Sequence, residues 1–244
     1  MPEILNIAHK GACGYYPENS LLAFEKAVEM GCDAYEIDVQ LSRDGEVMVF
    51  HDEKLDRTTD GKGFLVEHSY EELKKIKITA NNENNKYPLQ KIITLAELLT
   101  MMQENDIILN LELKNDVIDY EGIEKKVCKL LKKYQMLDRV LISSFNHYSL
   151  KRFAKLCPEV DLGILYMTTL IKPERYADLL DFEIRSLHPA AKTLNKEVVE
   201  GIKAAGYEIY PYTVNEEKEL KKMIELGVDG IITDYPDRLK AILI

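Results

Sequence analysis

A chain of 244 residues, 46% hydrophobic and 30% charged, is long enough for one large α/β unit and has the balance of a protein with a packed core. Its formal net charge of -10 argues against nucleic acid or anionic membrane as a standing partner, because the overall field repels phosphate. Cys13, Cys32, Cys128 and Cys157 form no C-x-x-C pair, and no basic leader with an apolar core follows Met1-Pro2-Glu3, so a zinc knuckle, a disulfide framework and export are not expected and a reduced cytoplasmic protein is.

Leu5 to Ala8 is a short apolar run ending in His9-Lys10-Gly11, as expected of a first buried strand whose polar residues emerge at its C-terminal end. Asn19 or Ser20 caps a helix with Leu21, Leu22, Phe24, Ala27 and Val28 on its apolar face, closed by Gly31. Tyr35 to Val39 is the next strand, and its two-residue period sets Glu36 and Asp38 on one face, with Tyr35, Ile37 and Val39 on the other. No helix fits between Val39 and Val47, where a turn through Arg43-Asp44-Gly45 predicts a hairpin-like excursion. Residues 56 to 93 then read as an insertion. Ser69 with Glu72 and Thr94 with Glu97 have the spacing of capping boxes, and Asn81-Asn82-Glu83-Asn84-Asn85 is polar enough to predict a solvated loop.

From Asp106 the alternation is regular. Strands are expected at Ile107 to Leu113, Val140 to Phe145, Leu162 to Tyr166, Ile184 to Leu187, Glu208 to Val214 and Gly230 to Thr233. Helices are expected at Glu121 to Tyr134, His147 to Leu156, Pro173 to Leu180, Lys196 to Ala205 and Glu216 to Leu226. Apolar strands alternating with amphipathic helices predict a parallel sheet covered on its outer face, and this many units favour a distorted TIM-type β/α barrel over an open doubly wound sheet. The strand-like segments number one more than a barrel needs, so one, within the hairpin, is expected to lie outside it. Residues 1–244 are expected to be a single catalytic barrel domain, with 56–93 a small insertion after the third strand-like segment.

In Leu109-Asn110-Leu111-Glu112-Leu113-Lys114 the strand period places Asn110, Glu112 and Lys114 on one face. Glu112 thus joins Glu36 and Asp38 as a third carboxylate aimed from a strand, and in parallel barrels functional residues gather at the C-terminal strand ends. Such a cluster repels itself and loses hydration. With no cysteine nearby it suits one hard divalent cation, Mg²⁺ or Ca²⁺; the alternative is that each acid pairs with a lysine or arginine inside the barrel. His9 and His51 also end strands, titrate near neutral pH and suit general base and general acid. His188, in Leu187-His188-Pro189, is a further candidate for the pocket lining, whereas His68 and His147, near helix starts, are expected to be ordinary surface residues.

Taken in order, His9-Lys10-Gly11, Pro17-Glu18-Asn19-Ser20, Glu36-Ile37-Asp38-Val39, Asp44-Gly45, His51-Asp52, Leu55-Asp56-Arg57-Thr58-Thr59, Glu112-Leu113-Lys114, Ser144-Phe145, Tyr212-Thr213-Val214-Asn215 and Gly230-Ile231-Ile232-Thr233-Asp234-Tyr235-Pro236-Asp237 resemble the glycerophosphodiester phosphodiesterases of bacterial cytosolic type. Each motif is weak alone; the ordered set, spanning nearly the whole chain, is specific. The resemblance implies a TIM-barrel enzyme that hydrolyses glycerophosphodiesters, as small-molecule substrates, to sn-glycerol 3-phosphate and an alcohol, without nucleic acid or stable membrane association. Carried over residue by residue, Glu36, Asp38 and Glu112 would hold the divalent cation, His9 and His51 would be the acid–base pair, and Lys114 would help bind phosphate. Lys10, Phe145 and Tyr212, with His188, complete the expected substrate contacts.

Two positions depart from the family pattern. Lys10 stands where the family usually has arginine, supplying charge without a planar fork, and Tyr212 stands where it favours tryptophan, changing the shape of an aromatic wall. The expected mechanism is attack of the glycerol 2-hydroxyl on phosphorus, with His9 taking its proton and His51 protonating the departing alcohol, through a cyclic phosphate that water then opens. The rival readings are a lysophospholipase D-type enzyme with 56–93 as a lid, and a non-catalytic barrel that binds metal or phosphodiester.

Overall fold

The computed structural model describes residues 4–82 and 86–244. The first apolar run forms β1 (Leu5–His9), and Ser20, whose side chain accepts from the Ala23 N–H, starts α1 (Leu21–Glu29). After β2 (Ala34–Leu41) the chain makes an excursion through β3 (Val47–Val49), α2 (Tyr70–Leu73), β4 (Lys77–Ile78), β5 (Gln90–Lys91), β6 (Ile93–Thr94) and α3 (Leu95–Met101). Strand and helix then alternate as β7 (Ile108–Leu113), α4 (Ile123–Lys133), β8 (Val140–Ser144), α5 (His147–Leu156), β9 (Asp161–Tyr166) and α6 (Pro173–Asp178). The chain ends with β10 (Ser186–Pro189), α7 (Lys196–Ala204), β11 (Glu208–Ile209), α8 (Glu217–Leu226), β12 (Gly230–Thr233) and α9 (Pro236–Leu243). The last helix was not expected from the sequence, although Pro236 at its first turn is a fitting start.

Parallel strands run in the order β11-β10-β9-β8-β7-β2-β1-β12. The two ends meet: Asp229 N–H donates to Ile209 O (3.1 Å), Ile232 N–H to Pro211 O (3.0 Å) and Val214 N–H to Ile232 O (2.9 Å), so the sheet closes into a TIM-type β/α barrel. Pro211 faces β12 and can accept but not donate, which is why this seam is a set of separate bonds and not a continuous ladder. The surplus strand is β3, which pairs antiparallel with the end of β2, Val39 opposite Val49 and Leu41 opposite Val47, off the barrel path as the hairpin reading expects.

The barrel strands are buried on both faces. Outward residues such as Ile37, Leu111, Ile142 and Ile164 join the helices in the main core, while inward Ile7, Ala34, Leu141, Tyr210 and Ile232 fill the N-terminal half of the barrel. The excursion adds a small core of its own around Met48, Phe50, Leu55, Leu65, Leu73 and Ile78. Both capping boxes form: Glu72 accepts from the Ser69 N–H at 2.7 Å, and Thr94 and Glu97 exchange bonds of 3.1 and 2.8 Å.

The expected solvated asparagine run is corrected at Asn82, which is buried, while Asn81 is exposed as expected. Asn81 Nδ2 donates to Cys13 O at 2.7 Å, and buried Asn82 exchanges bonds of 3.0 and 2.8 Å with the Tyr87 backbone, because an amide side chain carries both donor and acceptor and stands in for a backbone partner. Glu83, Asn84 and Asn85, like Met1 to Glu3, lie outside the described residues.

Candidate active site

Register places the carboxylates. β2 and β7 pair with Asp38 opposite Glu112, and β1 pairs with β2 so that His9 stands opposite Glu36. Glu36, Asp38 and Glu112 therefore emerge together at the C-terminal mouth, one oxygen of each within 4.8 Å of the others, all three buried. Burial and the charges of Asp38 and Glu112 push Glu36 well above the usual carboxylate range. Burial, opposed by Lys114 and reinforced by Asp38, pushes Glu112 up to about 7. Asp38 is buried too, yet the charges of His51, Lys114 and Lys10 outweigh that burial and hold it below its ordinary value.

Asp38 Oδ1 is buried without a hydrogen-bond partner among the described residues. An all-oxygen donor set with an open buried oxygen fits a hard divalent cation. The rival pairing is present only in part, since among the described residues Lys114 is the one lysine within ion-pair distance, its Nζ 3.0 Å from Glu112 Oε1 and 3.9 Å from Asp38 Oδ1, with Lys10 acting from further off. Beside the cluster a cavity of about 30 Å³, room for a water or a small ion, is bounded by His9, Glu36, Glu112, Asn110, Ser143 and Tyr212.

Each histidine is oriented by an acid. His9 Nδ1 lies 2.5 Å from Asp234 Oδ1, and its Nε2 faces Glu36 Oε2 at 3.8 Å. Asp234 is fixed in turn by Asn215 Nδ2 (2.6 Å) and by the Cys13 thiol (3.0 Å). Burial raises the Asp234 carboxyl, but the hydrogen bond and charge of His9 outweigh it and hold it well below the usual range. His51 Nδ1 lies 2.6 Å from Asp52 Oδ1. Burial lowers the His51 pKa, while the Asp38 charge and the Asp52 hydrogen bond raise it further, so the net shift favours the protonated ring.

A chain of charges joins the two arms. Arg57 donates to Asp52 through Nε and Nη2 (2.6 and 2.9 Å) and to Glu18 through Nη1 and Nη2 (2.9 and 2.8 Å), and Lys10 Nζ reaches Glu18 at 3.3 Å. Lys10 is buried in a left-handed backbone, φ 53°, with its N–H 2.8 Å from Glu36 O. The turn that carries it depends on Gly11, at φ 80°, where a Cβ would come 2.7 Å from the Ala23 backbone.

The structure thus brings together His9, Lys10, Glu36, Asp38, His51, Glu112 and Lys114, with Phe145 and Tyr212 as neighbouring edge-to-face rings and Lys114 Nζ 5.9 Å from the Phe145 ring centre. His188 is placed differently. Its strand lies two residues further along than expected, so His188 is an interior side chain with no exposure, bonded to Ser186 Oγ at 2.8 Å and packed on Tyr210. Gly163 leaves it room, since a Cβ there would come 2.5 Å from its Nε2, and burial drives the ring down to about 3, hence neutral. It belongs to the packed barrel layer and not to the cavity lining. His147 is also corrected: half-buried, it lies 3.0 Å from Leu165 O and 2.7 Å from the Tyr176 hydroxyl.

Residues that sequence reasoning gave no role at the site include Asp234, Asn215, Asp52, Glu18 and Asn19, the last expected only as a candidate helix cap; its Nδ2 donates to Asp38 Oδ2 at 3.1 Å. For Asp234 a signal existed, because it follows β12 as His9 ends β1, and these two strands pair in parallel.

A closed barrel with three converging buried carboxylates that could hold a divalent cation, two acid-oriented histidines and a lysine at its C-terminal mouth has the make-up of a TIM-barrel hydrolase. Comparison with known proteins narrows the class. Residues 9–238 match the model of the Glycerophosphoryl diester phosphodiesterase family, and the chain belongs to that family. It is 42% identical to a glycerophosphodiester phosphodiesterase of Caldanaerobacter subterraneus subsp. tengcongensis, covering 96% of each chain, and 43% identical to one of Bacillus altitudinis, covering 95% of this chain and 94% of the relative. Its fold also matches an Oleispira antarctica phosphodiesterase solved in complex with the product sn-glycerol-3-phosphate, at TM-score 0.87 and 32% identity, over 99% of this chain and 96% of that one.

Proposed function

We propose that this protein hydrolyses glycerophosphodiesters to sn-glycerol 3-phosphate and an alcohol, by acid–base catalysis from His9 and His51 at a site that takes one Mg²⁺ or Ca²⁺. The observation that carries the reading is the meeting of Glu36, Asp38 and Glu112 within one shell, with a histidine arm on either side. Those three carboxylates would hold the cation, which when bound supplies neutralising charge and Lewis acidity toward a phosphate oxygen.

The protein's own groups divide the remaining work. Asp234 accepts from His9 Nδ1–H, so the tautomer leaves Nε2 as the free acceptor, the arrangement of a base toward the glycerol 2-hydroxyl. Asp52 does the same for His51 Nδ1, and the raised pKa of that ring suits it to carry the proton delivered to the departing alcohol oxygen. Lys114 and Lys10 offer ammonium groups to the phosphate, and Phe145 and Tyr212 form the wall beside the leaving group. We read residues 1–244 as one catalytic unit with 56–93 an excursion from it, and place the activity in the cytosol, a compartment that suits four unpaired cysteines.

The test is release of glycerol 3-phosphate from a panel of glycerophosphodiesters, in chelator and in Mg²⁺, Ca²⁺ or Mn²⁺. Turnover that needs a cation and disappears in the His9→Ala and His51→Ala variants supports the reading; no release from any diester under any cation overturns it. The rival substrate class is lysophospholipids, whose chain would meet exposed Met167 and Ile171 on the loop after β9. Turnover of lysophosphatidylcholine against glycerophosphocholine decides that question.

A further inference from the structure

Gln40 lies two residues beyond Asp38 on β2 and is 1% exposed, yet it touches none of the carboxylates. Its Nε2 points into a run of three consecutive carbonyls, those of Phe50 (2.9 Å), His51 (2.9 Å) and Asp52 (2.8 Å). Two amide protons shared among three acceptors make a clamp on the backbone that carries both His51 and its partner Asp52. The last pairing bond to β2 is Phe50 N–H to Asp38 O at 2.9 Å, and beyond it, among the described residues, no backbone N–H holds the carbonyls of His51 and Asp52, so the clamp takes over where the pairing ends. The other end of the amide is fixed as well: buried Tyr120, from the loop before α4, donates its hydroxyl to Gln40 Oε1 at 2.7 Å. That bond sets the amide's orientation, since a flipped amide would face three carbonyls with an oxygen and the Tyr120 hydroxyl with a donor.

We propose that Gln40, oriented by Tyr120, is a positioning residue for the His51–Asp52 pair. It holds the imidazole where its N–H proton passes to the ester oxygen as the bond from that oxygen to phosphorus breaks, leaving a neutral imidazole and a free alcohol. The proposal rests on the reading of His51 as the acid. A side chain that merely satisfied buried carbonyls would affect every substrate alike; one that places an acid matters only where the leaving group needs a proton.

The experiment compares glycerophosphocholine, whose alkoxide must be protonated, with glycerophospho-4-nitrophenol, whose aryl oxide departs as an anion. Gln40→Met, which keeps the volume but removes the donors, is expected to lower kcat on the choline ester on the order of 10²-fold and on the nitrophenyl ester by no more than about threefold, as for a catalytic group displaced by roughly 1 Å. Calorimetric Mg²⁺ or Ca²⁺ affinity should not change. Tyr120→Phe, which deletes one hydroxyl, should give the same selectivity at smaller amplitude and serves if Gln40→Met does not fold. Parallel losses on the two substrates, or no loss on either, overturn the proposal. His51→Ala separates the two claims. If it slows both esters equally, His51 is not the acid; if it is selective and the Gln40 and Tyr120 variants are not, Gln40 has no positioning role.

Discussion

Replacing Asp234 by asparagine tests the His9 arm with little change of shape. His9 and Asp234 side chains are 19% and 23% exposed, so the 2.5 Å contact between them is shielded enough to count as a charge-assisted hydrogen bond without discount for solvent screening. Such a bond contributes about 1.5–3 kcal/mol. If the stabilisation is realised as His9 becomes charged during proton transfer, its loss lowers kcat by roughly one to two powers of ten, at about 1.4 kcal/mol per factor of ten. An amide nitrogen turned toward Nδ1 would also force the other tautomer and deepen the effect. The cluster Glu36, Asp38 and Glu112 does not contact Asp234, so cation affinity and KM should hold while kcat falls. Steady-state release of glycerol 3-phosphate, with calorimetric titration of Mg²⁺ or Ca²⁺ on the same samples, reads both quantities. A variant with kcat within about threefold of the parent would refute this account of His9, because no charge-assisted bond so placed is worth so little.

Because Glu112 is pushed up to about 7 by burial, protons compete with the cation near neutral pH. Cation affinity should rise as pH increases through that value, and Glu112→Gln should bind more weakly at every pH with a flatter profile; an affinity independent of pH would contradict the shared-shell reading. Lys114→Met removes the ammonium 3.0 Å from Glu112 and should raise KM by about tenfold through lost phosphate contact, with unchanged KM counting against that role. Asp52 and Asp234 are held below their ordinary values, so the stability they provide is full above the unfolded carboxyl pKa of about 4 and is lost as pH falls through the lower folded values. Thermal melts of Asp234→Asn should therefore be less sensitive to acid than those of the parent below that pH, and identical acid profiles would remove Asp234 from the account.

Strand period and composition made the barrel legible, because apolar residues two apart leave little choice about which side chains face inward. Glu36, Asp38 and Glu112 were found by that rule alone, and their convergence followed from parallel register. The same rule misplaced His188, because Pro189 lies at the end of the strand and not beyond it, and the shift of two residues turns a rim position into an interior one. Partners such as Asn215 and Arg57 were not legible as partners, and Asp234 only through the pairing of β1 with β12. Their contacts join segments far apart in the chain, and nothing in local spacing tells an acid that orients a histidine from an acid that meets water. Asn82 failed for the opposite reason: polarity predicts solvent only where no carbonyl or N–H nearby needs a partner.

The seam beside Pro211 bears on how this barrel tolerates change. Tyr212 and Asn215 sit on the stretch where backbone pairing to the next strand is intermittent, one lining the small cavity beside the carboxylates and the other holding Asp234. A continuous ladder would transmit a change of side-chain volume along its whole length. Tyr212 is instead held from the other side, its N–H donating to Pro189 O (3.1 Å) and its O accepting from Ala191 N–H (2.8 Å), while Asn215, three residues on, holds the acid behind His9. The seam thus ties the Tyr212 backbone to one neighbouring strand and the Asn215 amide to the acid beyond the other, so a change of side-chain volume at 212 is expected to leave the Asn215–Asp234 contact in place.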